Sequence, residues 1–270
     1  MLKHIVNTCI FISALLGLSS CQKVIDIELD TAPDQIVIEG NITDQLGVQS
    51  IKISQSVPYT ESNHYPAVRG ATVIVKDEKG QSWNFTETQP GTYTSGPLKG
   101  EAGGIYTLVV TAHDGAIYTA SSAMPKPVIL DSLSFKVYDF FGDETKEVQV
   151  SYKDPVDASN QYRYLMKVNG TAVKQIFVDN DRFTNGKGGE RPLFYSAENE
   201  KDKLKKGDQV EIEMQCIDQQ MFTYWYTLSR QAESGPGGGV TPGNPPSNIS
   251  NGALGYFSVH TTQVKTINIK

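Results

Sequence analysis

From Gln35 onward the chain alternates apolar and polar residues in short runs separated by Gly, Pro and Asn/Asp. A period of two puts one face of each run in a core and the other in water, the pattern of antiparallel sheets. Ile36-Val37-Ile38-Glu39, Ser50 to Ser54, Thr72 to Lys76 and Tyr106 to Val110 read this way, with turns at Lys79-Gly80, Pro90-Gly91 and Asp114-Gly115 between them. These runs predict a first β-sandwich over residues 33–127. Met124-Pro125-Lys126-Pro127 closes it, because proline has no N–H for a ladder and two within three residues favour an extended linker. Two β units that move about 123–128 are the expected organisation.

A second β block, residues 128–270, starts with Leu133 to Val137, Val148 to Tyr152 and Tyr164 to Val168. Asn169-Gly170 then marks a tight hairpin from which Val173 to Val178 returns, and Val210 to Met214 alternates again. The one expected helix covers residues 219–233, where Met221, Tyr224, Trp225, Leu228 and Ala232 recur at helical spacing. Such a stripe reads as core packing. Phe222 and Tyr226 add to it, so a partner-facing aromatic patch is the alternative. Residues 234–246, rich in Gly and Pro, predict a long loop of the kind that is mobile or functional. The expected fold class is all-β, two β-sandwich domains with one helix inserted in the second.

The first 21 residues follow a different pattern. Lys3 lies in a short polar start, Ile5 to Leu18 is an uncharged run, and Leu18-Ser19-Ser20-Cys21 follows. This order resembles a bacterial lipoprotein signal. The resemblance implies removal of residues 1–20, lipidation of Cys21 with diacylglycerol on sulfur and an acyl group on the amine, and a tether over 21–32. Several acyl chains at about 0.8 kcal/mol per buried methylene hold a protein to a membrane, where one chain does so only marginally. Gln22 and Lys23 replace the Asp that usually retains such proteins at the inner membrane, so an outer-membrane location is expected, with the cell surface favoured over the periplasmic side.

Two further resemblances rest on specific stretches. Val68-Arg69-Gly70-Ala71-Thr72-Val73, Asp77 to Gly80, Gly91-Thr92-Tyr93, Gly104 to Leu108 and Gly115 to Ala120 are similar to the carboxypeptidase-regulatory or transthyretin-like sandwich. The second sandwich is expected to be of immunoglobulin or fibronectin type. Cys21 to Ile27, Ile38-Glu39-Gly40-Asn41-Ile42 and the long Asn244 to Phe257 stretch make the mature chain resemble the Bacteroidota lipoprotein family known as domain of unknown function 4249. That resemblance implies a lipid-anchored envelope protein, with members often encoded beside TonB-dependent outer-membrane transporters, and it supplies no catalytic residues. It also makes Asp30-Thr31-Ala32 and Asp131-Ser132-Leu133 similar to O-glycosylation acceptors, at Thr31 and Ser132.

Charge and candidate chemistry narrow the functions. The net charge of −6 gives no basic stripe for nucleic acid. Of the cysteines, Cys9 leaves with the signal and Cys21 is lipidated, which leaves Cys216 as a buried free thiol. His4, His64, His113 and His260 are scattered, with no metal-ligand spacing and no nucleophile elbow or phosphate loop nearby. Asp179-Asn180-Asp181 with Glu190 hints at a calcium loop, but Phe183 and Thr184 stand where a ligand and the turn glycine belong. No metal, cofactor or enzymatic activity is expected. The expected function is an outer-membrane accessory protein that binds a ligand or partner alongside a TonB-dependent transporter, with a structural or adhesive surface module as the alternative. Tyr224, Trp225, Asn248 and Tyr256 are the expected partner-contact residues, on the argument that the Gly235 to Phe257 segment is costly to order without packing, asparagine hydrogen bonds or a partner.

Overall fold

Most of the alternating runs become hydrogen-bonded ladder. The computed structural model describes residues 34–58, 64–140, 143–195, 203–232 and 243–270. The signal, the tether and most of the Gly/Pro-rich loop therefore lie outside the described residues. The first strands are β1 (Ile36–Thr43), β2 (Gly47–Gln55), β3 (Thr72–Asp77), β4 (Ser82–Gln89), β5 (Thr92–Leu98), β6 (Ile105–Thr111) and β7 (Ile117–Ala123). After the proline linker come β8 (Leu130–Phe140), β9 (Asp143–Lys153), β10 (Gln161–Val168), β11 (Thr171–Ala172), β12 (Phe177–Asn180), β13 (Gly188–Leu193) and β14 (Gln209–Ile217). The helix α1 (Gln219–Ala232) and the long β15 (Leu254–Asn268) complete the described elements. Among the described residues the fold is all-β in sandwich-like layers with one helix.

One continuous sheet runs β11-β10-β14-β15-β1-β2-β5-β4-β3-β6-β7, with β12 also on β10, and a second sheet runs β13-β9-β8. β4 turns the corner of the first sandwich: Ser82 to Phe85 pair with β3, and Thr86 to Gln89 pair with β5. The core between these layers holds Ile38, Ile51, Val75, Tyr93 and Leu108. In the second half, Tyr162, Tyr164, Ile212 and Met214 from the long sheet meet Val148, Val150 and Tyr152 of β9. Asn169 and Gly170, with φ of 50° and 80°, make the expected tight turn, because both central positions of that turn need positive φ. The returning strand is broken in two. Val173 and Phe177 face the second core, while Ile176 and Val178 lie under α1.

β15 joins the two halves. Leu254 to His260 pair in parallel with Val37 to Thr43 of β1, and Thr261 to Asn268 pair antiparallel with β14. The sequence pattern assigns everything after residue 128 to the second sandwich, yet Ile249, Ala253, Phe257 and Val259 pack in the first core. The linker is also fastened at both ends. Met124 is buried in the first core and its N–H donates to Gly104 O. Val128 is buried in the second, its N–H donating to Cys216 Sγ at 3.3 Å and its carbonyl accepting from Gln263 Nε2 at 2.6 Å. Residues 34–270 make up one compact unit.

Candidate functional site

α1 lies on the face of the long sheet turned away from both cores. Asp218 caps it, its Oδ1 accepting from Met221 N at 2.9 Å and its Oδ2 from Ser122 Oγ of β7 at 2.5 Å. Arg230 in the last turn suits the negative end of the helix dipole. Val259 N donates to the same Ser122 hydroxyl at 3.0 Å, so the cap is tied to β15 as well.

Beneath the helix, Tyr224, Trp225 and Tyr256 converge. Their ring centroids lie 5.0 Å (Tyr224–Trp225), 5.2 Å (Tyr224–Tyr256) and 4.9 Å (Trp225–Tyr256) apart, within the range where tilted and edge-on aromatic pairs attract. The Arg163 guanidinium of β10 sits 3.5 Å from the Trp225 ring centroid, a cation–π contact away from bulk water. Burial pulls the Arg163 pKa down, opposed by Tyr256 and Glu213. The Tyr256 hydroxyl oxygen accepts from Asn41 Nδ2 at 3.3 Å, and burial pushes its pKa and that of Tyr224 up, the latter to about 12. Arg163 Nε and Trp225 Nε1 are buried without a hydrogen-bond partner among the described residues. Nearby on β15, His260 Nδ1 shares a hydrogen bond with Ser258 Oγ at 3.0 Å.

Three of the four expected contact residues are therefore gathered, but gathered as packing: Tyr224, Trp225 and Tyr256 are all buried. Asn248 is elsewhere. Its Oδ1 accepts from Phe257 N at 2.9 Å and its Nδ2 donates to Phe257 O at 2.8 Å, a two-point clip from the segment before β15 onto the strand itself. Ile249 bridges to Ala120 of β7, and Ser250 N donates to Thr119 O at 2.8 Å. The Asn/Ser/Gly stretch thus closes the open edge of the first sandwich. Cys21 and Thr31 lie outside the described residues, and Ser132 is exposed on β8 at a register shift.

Sequence reasoning did not anticipate Arg163, His260 or the Ser122–Asp218 link. A lone Arg between Tyr162 and Tyr164 is a visible signal; its position opposite Gln215 on β14 is not. The aspartates considered for calcium serve other ends. Asp181 Oδ2 accepts from Asn160 N at 2.7 Å, and Asp179 faces Arg191 Nε at 3.6 Å. Among the described residues no three His, Cys, Asp or Glu side chains are grouped as a metal ion would need. Cys216 is the buried free thiol expected, its pKa pushed up by burial.

The exposed side of α1 differs from its buried stripe. Phe222 and Tyr226 stack with centroids 5.6 Å apart and planes 21° apart, and Tyr226 is 49% exposed. Arg230 is the only charged residue in the helix sequence QQMFTYWYTLSRQA.

Fold and site define a double-layered β protein with an aromatic helix seated on its outer sheet face. The chain belongs to the family described as Domain of unknown function (DUF4249), which matches residues 22–266. No curated protein matches. Among solved structures, the crystal structure of a DUF4785 family protein from Legionella pneumophila is similar at 14% identity with a TM-score of 0.22, over 67% of this chain and 52% of that one. The chain thus spans about half the length of that protein.

Proposed function

We propose that this is a lipid-anchored accessory protein of a Bacteroidota outer membrane, not an enzyme, that binds a partner alongside a TonB-dependent transporter. Leu18-Ser19-Ser20-Cys21 after an uncharged run is the observation that carries the anchor. The outer side of α1 supports the partner role, because depletion of charge together with an exposed Tyr226 and Arg230, and a half-buried Phe222 stacked on Tyr226, is the composition that distinguishes protein interfaces from ordinary surface. This moves the contact from the buried Tyr224, Trp225 and Tyr256 to Phe222, Tyr226 and Arg230, one turn round the same helix. Tagged protein purified from outer membranes tests it. Wild type is expected to bring down a TonB-dependent barrel, and Tyr226→Ala to lose it while keeping its thermal midpoint. Unchanged recovery with Tyr226→Ala would discard the α1 face, and no barrel with wild type would discard the accessory role.

The alternative, a structural surface module, draws on a different observation. The family-specific Asn244 to Phe257 stretch spends its Asn248 and Ser250 hydrogen bonds on closing a sandwich. Barrel-free outer membranes that still show strong cell-to-cell or matrix adhesion dependent on the protein would favour it.

A further inference from the structure

The turn at residues 181–187 is built to hold an apolar residue out in solvent. Phe183 at its tip is 80% exposed, and Val156 on the neighbouring 154–159 segment, which lies against Gly186, is 68% exposed. Single exposed apolar residues are ordinary on protein surfaces. This pair differs in how rigidly it is presented. Thr184 N donates to Asp181 O and Lys187 N to Thr184 O, both at 2.8 Å, so two turns follow without a break. Two buried carboxylates fix them from below. Asp181 Oδ2 accepts from Asn160 N at 2.7 Å, and Asp154 takes the Tyr162 O–H on one oxygen and Gly186 N at 3.2 Å on the other. Burying and pairing carboxylates to stiffen a loop whose tip stays wet gives the sandwich itself nothing, since Phe183 adds no area to either core.

The rim has a sign. Lys153, Arg182 and Lys187 are exposed around the tip; Asp157 is the one exposed acid in the two segments, and Glu190, three residues beyond Lys187, is paired with Lys136 and Ser134. An aromatic tip with a basic rim fits the boundary of a bilayer bearing anionic head groups, where aromatic rings settle at head-group level and each nearby Lys or Arg is attracted to the surface. Such a small contact would not hold a free protein. On the reading that Cys21 is lipidated, however, twelve residues separate the anchor from Asp34, a reach of at most roughly 45 Å at full extension. Tethering at that distance raises the effective concentration of the tip at the bilayer, so a weak second contact becomes populated.

We propose that Phe183 and Val156, ringed by Lys153, Arg182 and Lys187, form a second membrane contact that orients the anchored body against its own bilayer. The inference rests on the lipid anchor. To test it, the mature lipoprotein is reconstituted into vesicles of phosphatidylethanolamine and phosphatidylglycerol with ordinary or brominated acyl chains, as wild type and as Phe183→Trp. Wild type supplies the baseline from Trp83 and Trp225. The extra emission of F183W is expected to fall at least twofold in brominated vesicles. Extra emission that is equally bright in both, from protein that floats with the vesicles, overturns the membrane contact and leaves the anchor standing, as it would if the tip served a protein partner. Protein that fails to float overturns both.

Discussion

His260 shows what burying one imidazole costs. It is 2% exposed, and burial, followed by the positive Arg163 guanidinium, pulls its pKa down to about 3. An unfolded histidine titrates near about 6.5. Between those values unfolding takes up a proton, so the stability is fully present above the unfolded value and drains away as pH falls toward 3, by up to about 1.4 kcal/mol per pH unit for one group. The urea midpoint of wild type is expected to drop more steeply between pH 7 and pH 4.5 than that of His260→Gln; parallel lines for the two proteins would show that this histidine does not set the acid limit. Trp225 and Tyr226 make a matched pair on one helix. Trp225→Ala empties the space beneath Arg163 and between two tyrosines, and we expect a loss of about 3–5 kcal/mol. Tyr226→Ala at the exposed position is expected to stay within about 0.5 kcal/mol of wild type. Equal losses in urea unfolding would mean that the two sides of α1 are not buried as described.

At the scale of elements, β15 carries most of the architecture, and Gly255 makes its entry possible. Its φ is 89°, and a Cβ there would lie 2.1 Å from the Ile38 carbonyl oxygen. Gly255→Ala combines that clash with a left-handed backbone, so a cost of about 2–4 kcal/mol is expected, and hydrogen exchange should speed up along β1 and Leu254 to His260 before it does along β14. Uniform protection loss would place the strain elsewhere. β15 is also where sequence reading falls short. Residues 255–261 are buried without alternation, because the first core covers one face and α1 or flanking side chains the other; a strand covered on both faces loses the period-two signal that reveals β1, β3 and β6. The hairpin at Asn169-Gly170 and the helix at 219–232 were legible for the opposite reason, since turn chemistry and a 3.6-residue stripe are local. The aromatic members of the site could be picked out by type. Arg163 could not, because its neighbours arrive from a strand and a helix some fifty and sixty positions away in sequence.

For the whole molecule, the shared strand makes the two sandwiches one folding problem. A chain ending at residue 127 lacks Ile249, Phe257 and Val259 and leaves β1 without its parallel neighbour, while a chain starting at 128 carries those apolar residues with nothing to cover them. Neither fragment is expected to show a cooperative thermal transition alone, whereas a nicked chain with both pieces present should melt in one step; two independent melts from separate fragments would restore a flexible two-domain molecule. The aromatic helix face and the Phe183 tip acquire their proposed roles only if this body is held at a bilayer. Intact-mass measurement of the protein extracted from membranes addresses that directly. A chain beginning at Cys21, heavier by a thioether-linked diacylglycerol and one amide-linked acyl group, is the expected species, and a chain beginning elsewhere or carrying an unmodified Cys21 thiol would contradict the anchor and the functions built on it.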